Sequence, residues 1–202
     1  MSEGQIQAAL VKDLRDRTGA GMMDCKRALQ KTDGDLDKAA EYLRKQGILK
    51  AEKKADRAAN EGLIHAYIHQ GARVGVLIEV NCETDFVART DDFKAFCQEV
   101  AMQIAASAPI CISREEVDPA LVEKEREIFR EIAIHEGKPE HIIDKIVEGK
   151  IEKYYEQVCL LEQPYIRDSD RTVEDLLKET IATIGENIQI ARFERFALGE
   201  AN

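Results

Sequence analysis

The spacing of hydrophobic positions over residues 1–50 predicts three short helices. The first helix carries apolar residues at intervals of four: Ile6, Leu10 and Leu14. A Thr-Gly-Ala-Gly stretch at residues 18–21 ends it, and a second helix is predicted over residues 22–30. Asp35 can cap a third helix, which Gly47 is expected to end. Three helices of this length indicate a compact bundle at the start of the chain.

A change of period after residue 60 predicts a β-hairpin. Residues 50–60 are rich in Lys and Ala and predict a polar helical connector, so we place a domain boundary near residue 55. Apolar residues then alternate on both sides of a Gln-Gly-Ala turn at residues 70–72. They are Ile64, Ala66 and Ile68 before the turn, and Val74, Val76, Ile78 and Val80 after it.

Helical spacing returns at Thr90 and continues until Pro109. Two charged amphipathic helices follow, and we expect them to pair as an antiparallel helical hairpin over about residues 119–158. A helix near residues 173–184 and a third strand over residues 188–198 complete the pattern. The predicted fold class is α+β. Residues 1–55 form an N-terminal three-helix module with its connector, and residues 56–202 form a core of a small antiparallel sheet packed with helices and the helical hairpin.

The composition fits a charged, mostly helical protein: 44% of the 202 residues are hydrophobic, 34% are charged and Trp is absent. No apolar run approaches the roughly 18 to 20 residues that span a bilayer, and the first residues lack the pattern of a secretory signal. We therefore expect a cytoplasmic protein that does not enter a membrane. The five cysteines are an odd number without a Cys-x-x-Cys pair, which predicts reduced thiols.

Charge is distributed unevenly along the chain. Residues 1–60 have a net charge of +3 and the remaining residues have a net charge of −13. Non-specific affinity for nucleic acid comes from Lys and Arg side chains that neutralise phosphates, so an acidic body argues against direct nucleic-acid binding. A protein partner is favoured instead.

Motifs for covalent chemistry and cofactor binding are not found in the sequence. The Gly-Lys pairs at residues 137–138 and 149–150 lack the earlier Gly and the hydroxyl of a phosphate-binding loop. His65 and His69 share a face of the predicted strand, but they have no Glu or Cys at metal-ligand spacing, which favours hydrogen-bonded surface histidines over a metal site. No Ser or Cys lies in a nucleophile elbow. We expect no enzymatic activity, no metal and no cofactor.

Two segments are more distinctive: residues 14–29, LRDRTGAGMMDCKRAL, and residues 81–89, NCETDFVAR. Four shorter stretches accompany them: RVGVL at residues 73–77, EGKP at 136–139, LEQP at 161–164 and IGEN at 184–187. In this order they closely resemble the elongation factor Ts family, whose members are guanine-nucleotide exchange factors of the translational GTPase elongation factor Tu. The resemblance covers nearly the whole chain. It implies that the protein binds elongation factor Tu carrying GDP and promotes GDP release.

The resemblance also has implications for assembly. Long members of the family have two similar core halves, whereas this chain has room for one hairpin-plus-helix unit and is similar to the short form. A three-stranded piece of sheet leaves open edges, so we expect two copies to associate as a homodimer without a required disulfide.

The resemblance assigns a role to Thr84, Asp85, Phe86 and Val87. In the family this stretch enters the GTPase and dislodges its magnesium. Phe86 would be an apolar wedge in a loop, and Asp85 would bond the displaced groups of the partner. From the residues alone, a phenylalanine folded onto the core is the alternative, because large apolar side chains are usually buried.

The N-terminal module is similar to a ubiquitin-associated domain and is expected to contact the GTPase near its nucleotide. The expected partner-binding residues are Arg15, Met22, Met23 and Lys26, to which we add His69. Met22 and Met23 are adjacent, so at least one of them should be exposed. The alternative function is a ubiquitin-associated-type adaptor with an acidic dimerisation scaffold. Residues 84–87 distinguish the two hypotheses, because an adaptor has no need of them.

Overall fold

A computed structural model describes residues 7–200 of the chain. The first helices are α1 (Ala8–Thr18), α2 (Met22–Lys31) and α3 (Leu36–Glu52). They enclose a cluster of buried side chains that includes Leu14, Cys25 and Leu29, which confirms the predicted bundle. The Asp35 carboxylate accepts hydrogen bonds from the backbone N–H groups of Asp37 and Lys38, as a helix cap should. Ile6, which was assigned to the first helix, lies outside the described residues.

The prediction that Gly47 ends the third helix was wrong. Gly47 is buried inside α3, which continues to Glu52, and only turns follow where the connector was predicted to be helical. A Cβ atom at Gly47 would lie 3.2 Å from the Cβ atom of Ala182. The missing side chain thus allows another segment to approach α3 closely, and glycine serves packing here rather than termination.

Most of the remaining elements agree with the predicted periods. The further helices are α4 (Asp85–Ala88), α5 (Asp91–Ser107), α6 (Pro119–His135), α7 (Glu140–Val158) and α8 (Val173–Ile184). The strands are β1 (Glu61–Ile68), β2 (Val74–Cys82), β3 (Pro164–Tyr165), β4 (Asp168–Thr172) and β5 (Ile188–Ala197). An antiparallel sheet has the strand order β1-β2-β5, so β2 is its central strand. The α+β fold class and the third strand are confirmed.

The pair β3 and β4 was not predicted from the sequence. It forms a separate two-stranded antiparallel sheet. The β4 sequence is Asp-Ser-Asp-Arg-Thr, which has no apolar alternation that would indicate a strand.

The sheet is apolar on both faces. Val76, Ile78 and Val80 of β2 are buried, as core positions should be. The alternate position Leu77 is 46% exposed, and on β1 the alternating apolar residues are the exposed ones, with Ile68 at 64%. One face of the sheet therefore serves a core, and the other leaves apolar side chains in contact with solvent.

The helices α6 and α7 form the predicted hairpin. Its buried side chains include Val122, Ala133, Ile143, Val147 and Ile151. At its base, the Arg114 guanidinium binds the carboxylates of Glu152 and Glu162 and lies 4.4 Å from the centre of the Tyr155 ring. Because each exposed ion pair contributes only about 0.2–1 kcal/mol, the apolar seam is the main source of hairpin stability.

The chain folds into two compact units. The first contains the described residues up to Ile64 together with Glu79–Cys97 and Asp175–Ala191. The second contains His65–Ile78, Gln98–Glu174 and the described residues from Arg192 onward. The domain boundary near residue 55 stays a prediction.

Residues 7–200 contain neither a membrane-spanning helix nor a cluster of metal-binding side chains. No helix in this part of the chain is long and apolar enough to cross a membrane. Within the same residues, no group of three or more His, Cys, Asp or Glu side chains could hold a metal ion.

Candidate functional site

Residues 84–87 lie at the start of a single helical turn rather than in the irregular loop expected from the sequence. The turn is α4, and Thr84 is its N-cap. Phe86 is 78% exposed, whereas Val87 and Ala88 are each 8% exposed. The buried pair holds the turn on the body of the protein, and the phenyl ring of Phe86 projects into solvent. Burial of Phe86 in the core, which the sequence left open, is excluded by this exposure.

A hydrogen-bond network fixes the start of this turn. The Thr84 hydroxyl oxygen accepts from the Val87 backbone N–H at 3.3 Å. The same hydroxyl donates to Oε1 of Glu186 at 2.8 Å, and the Thr84 backbone N–H donates to Oε2 of Glu186 at 3.0 Å. Asp85, one residue on, forms an ion pair with Arg89 at 2.7 Å and remains exposed. The Glu186 carboxylate therefore holds Thr84 with both of its oxygens.

A second carboxylate joins the same two segments, but here the acceptor lies before α4 and the donor lies after α8. Oε1 of Glu83 accepts from the Asn187 backbone N–H at 2.7 Å. The Asn187 side-chain amide in turn donates to the backbone carbonyls of Arg57 at 2.7 Å and Ala55 at 3.2 Å. Three segments thus meet here: the one before α4, the one after α8 and the connector that follows α3.

Gly185 makes this meeting possible. It follows α8, has φ of +92°, and its N–H closes the helix by donating to the Ile181 carbonyl. This left-handed conformation is readily adopted by glycine and turns the chain so that Glu186 and Asn187 leave the helix axis.

The electrostatics of the network favour the ionised form of Glu83. The Asn187 N–H, followed by the Arg57 guanidinium, holds the pKa of the Glu83 carboxyl below its ordinary value. Burial, followed by the charge of Arg57, lowers the pKa of the Lys54 ammonium, while Glu83 and Glu186 oppose that shift. The two negative charges are therefore compensated by backbone dipoles and by the nearby Lys54 and Arg57.

The N-terminal bundle presents an exposed apolar and basic surface at the start of α2. Met22 is 48% exposed and Met23 is 66% exposed, which confirms that at least one of them faces solvent. Arg15 and Lys26 are also exposed, and neither forms an ion pair within residues 7–200. The neighbouring Asp24 is already occupied: Lys50, followed by Arg27, holds the pKa of its carboxyl below the ordinary value. This surface therefore has cations available for an acidic partner.

His69 lies in the second compact unit, at the end of β1. It is exposed, its backbone N–H donates to the Val74 carbonyl at 2.9 Å, and its Nδ1 lies 2.8 Å from the Tyr67 hydroxyl. His65 instead bonds the Gln98 side chain through Nε2 at 2.8 Å. Each ring thus has a hydrogen-bond partner, and His65 is half-buried whereas His69 is exposed.

Sequence reasoning missed the supporting residues Glu83, Glu186 and Asn187. The hydrogen bond from Thr84 to Glu186 joins residues 102 positions apart, and residue spacing carries no signal at that separation. The available signal was indirect, because IGEN at residues 184–187 is one of the stretches that carry the family resemblance.

Comparisons with known proteins agree with this resemblance. The family model described as Elongation factor TS matches residues 48–200. The chain is 62% identical over 195 residues to Elongation factor Ts of Thermoanaerobacter sp. (strain X514), covering 96% of each chain. It is 60% identical to Elongation factor Ts of Heliobacterium modesticaldum, covering 96% of this chain and 91% of the relative. It is 58% identical to Elongation factor Ts of Geobacter metallireducens, covering 96% of this chain and 90% of the relative.

Proposed function

The chain belongs to the elongation factor Ts family of translation elongation factors, and from this membership we propose that it is a guanine-nucleotide exchange factor of elongation factor Tu. It binds the GTPase in its GDP form in the cytoplasm, promotes GDP release and so allows GTP to load. The exchange makes and breaks no covalent bond, and the protein needs no cofactor of its own for it.

The observation that carries this proposal is the 78% exposure of Phe86 on a turn held by buried neighbours and hydrogen bonds. Burial of a large, exposed apolar side chain by a partner is favourable, because it removes apolar surface from water. Phe86 is therefore suited to insert between packed elements of the GTPase. Insertion displaces the loops that hold Mg²⁺ and phosphate, and GDP then loses its strongest electrostatic contacts. Thr84 and Val87 hold the turn, while Asp85 is exposed and can bond groups of the partner that move.

The N-terminal module supplies the second contact in this proposal. Arg15, Met22, Met23 and Lys26 present cations and adaptable thioethers to the GTPase near its nucleotide pocket. His69 contributes from the turn end of β1. Once these contacts hold the protein on the GTPase, insertion of the wedge is an intramolecular step. Its entropy cost is then lower than for a wedge that binds alone.

We further propose that the protein is a homodimer joined through the exposed face of its sheet rather than through the strand edges. Within the second compact unit, a groove of about 520 Å³ is lined mainly by apolar residues of β1, β2 and the end of β5, together with Arg73. Its exposed large apolar side chains are Ile68, Leu77, Phe196 and Leu198. A second copy would cover this face with the same residues, as the two-fold symmetry of a homodimer requires.

The test of the exchange function measures release of a fluorescent GDP analogue from purified elongation factor Tu. The wild-type protein is expected to accelerate release at substoichiometric concentration. Phe86→Ala removes the wedge and should cost about 2 kcal/mol or more of interaction energy, which is roughly a 30-fold loss of stimulated release. Ile110→Ala is the control, because Ile110 is 57% exposed and lies outside the proposed contacts.

Normal release with Phe86→Ala would remove the wedge from the mechanism. Release that the wild-type protein does not accelerate would refute the exchange function as a whole. An adaptor, the other function that the sequence allows, would bind a partner without any dependence on residues 84–87.

A further inference from the structure

The Glu186 carboxylate is the part of the network around α4 that bonds Thr84 directly from another segment of the chain. It accepts two hydrogen bonds from Thr84, at 2.8 Å from the hydroxyl and at 3.0 Å from the backbone N–H. Because the hydroxyl proton is directed at Glu186, a lone pair of the same oxygen is free to accept from the Val87 N–H. Glu186 therefore sets the direction in which Thr84 caps the turn.

A turn of this size depends on such a cap. The helix α4 has four residues, and a first helical turn is unfavourable by itself because it orders several residues for one hydrogen bond. Val87 and Ala88 hold its far side through burial. Phe86, with most of its surface in solvent, has little packing of its own to fix its direction. Its orientation consequently depends on the cap, and the cap depends on the Glu186 carboxylate.

Glu186 is itself held in place. The left-handed Gly185 precedes it, and the next residue, Asn187, donates its backbone N–H to Glu83 and its side-chain amide to the carbonyls of Ala55 and Arg57. A charged acceptor on a fixed backbone makes shorter and stronger hydrogen bonds than a neutral one. The support is thus organised before any partner arrives.

We propose that Glu186 is a positioning residue for nucleotide exchange, which orients the Phe86 wedge by fixing the Thr84 cap from the far end of the chain. This inference rests on the proposed exchange function. Glu186 acts through Thr84 and needs no contact with nucleotide or magnesium. It raises the rate of release in the bound complex, because a pre-oriented wedge loses less entropy on insertion.

The test separates the maximal rate of stimulated GDP release from the protein concentration that gives half of it. Glu186→Ala should lower the maximal rate about tenfold, while the half-saturating concentration changes less than about threefold, since the N-terminal surface is intact. Glu186→Gln keeps one acceptor oxygen and should lose about threefold. Thr84→Val removes the hydroxyl with little change of shape and should resemble Glu186→Ala, whereas Thr84→Ser keeps the hydroxyl and should lose less than Thr84→Val.

Two further measurements distinguish positioning from general stability. Hydrogen exchange at the Val87 amide should become faster in Glu186→Ala, while the melting temperature stays close to that of Glu156→Ala, a control that removes an exposed carboxylate on α7. The double variant Glu186→Ala with Phe86→Ala should release GDP no more slowly than Phe86→Ala alone, because a positioning residue has no effect once the wedge is gone.

The outcomes are distinct. Wild-type maximal rates with Glu186→Ala and Glu186→Gln, alongside a defective Phe86→Ala, would overturn this inference and leave the exchange function standing. Additive losses in the double variant, or a large fall in melting temperature with normal release per folded molecule, would also overturn it. If the wild-type protein does not accelerate release, both proposals fall together.

Discussion

Phe86 and Phe93 are seven positions apart and lie in opposite environments. Phe93 is fully buried in α5, whereas Phe86 is 78% exposed on α4. We expect Phe93→Ala to lower the free energy of unfolding by about 3–5 kcal/mol, through lost burial and the cavity it leaves. Phe86→Ala should lower it by less than about 0.5 kcal/mol, as surface substitutions usually do. Urea unfolding of both variants followed by circular dichroism provides the comparison.

This pair separates a role in binding from a role in folding. Similar destabilisation by the two substitutions would show that Phe86 packs on the body in solution, and the wedge would then have to be formed by a rearrangement.

Glu83 gives the support network a dependence on pH. Its pKa is lowered below its ordinary value in the folded protein, chiefly by the Asn187 N–H. Its contribution to stability is therefore complete above that ordinary value and is lost as the pH falls through the lower, folded-state pKa. The difference in unfolding free energy between wild type and Glu83→Gln should be larger at pH 7 than at pH 3. An equal difference at both pH values would show that the Glu83 charge is not stabilised in the folded state.

At the scale of residues, the sequence predicted exposure better than it predicted contacts between side chains. Exposure of at least one of Met22 and Met23 followed from helix geometry, which forbids two adjacent side chains from entering one small core. The exposure of Phe86 could be expected only from the family resemblance, because apolarity alone favours burial. The pairing of Thr84 with Glu186 had no local signal, since it depends on how α8 and the segment before α4 meet in the folded chain.

At the scale of elements, Gly47 in α3 and Gly149 in α7 allow a matched test of what a helical glycine does. A Cβ atom at Gly47 would lie 3.2 Å from Ala182, whereas one at Gly149 would meet nothing within 4 Å. We expect Gly47→Leu to destabilise the protein by about 1–3 kcal/mol through overpacking. Gly149→Leu should instead raise stability by about 0.5–1 kcal/mol, since leucine favours a helix more than glycine does. Thermal melts of the two variants should shift in opposite directions.

If Gly47→Leu melts at the wild-type temperature, α3 and the segment around Ala182 do not pack closely in solution. Glycine at position 47 would then not be required for their approach.

Elements with strong periodicity were predicted well, and the errors fall where the hydrophobic pattern carries no information. The hairpin α6 and α7, the long helix α5 and the strand β2 each bury a regular stripe or alternate face, and the sequence records it. The strand β1 also alternates, although its alternating apolar residues are exposed. Gly47 was misjudged because terminating and close-packed glycines look the same in a sequence. The strand β4 was missed because its pairing involves backbone groups and leaves no apolar pattern.

The exposed cations on α1 and α2 should make binding to elongation factor Tu depend on ionic strength. Lys26→Glu and Arg15→Glu should each weaken binding to elongation factor Tu several-fold at low salt, and the difference from wild type should shrink as ionic strength rises. Lys153→Glu is the control, because it makes the same change in charge on an exposed residue of α7. Equal affinities for all three variants in a titration would remove this surface from the proposed contact.

At the scale of the whole molecule, the exposed sheet face and the acidic composition have opposite effects on the association of two copies. The residues after position 60 carry a net charge of −13, which disfavours bringing two copies together. The apolar side chains around Phe196 favour it, because association removes them from water. Rising salt screens the repulsion and leaves the apolar contact intact, so a dimer built on this face should tighten, or at least not weaken, with ionic strength.

Phe196 and Ile134 provide the matched variants for this test, since they are 58% and 59% exposed. Phe196→Glu places a carboxylate on the sheet face, where burial without a partner is costly, and should yield a monomer. Ile134→Glu makes the same change on the hairpin and should leave the dimer intact. Sedimentation at micromolar concentration is performed with reductant, because the five cysteines are buried free thiols and no covalent link is required. A wild-type protein that sediments only as a monomer, or a dimeric Phe196→Glu, would show that the sheet face does not join two copies.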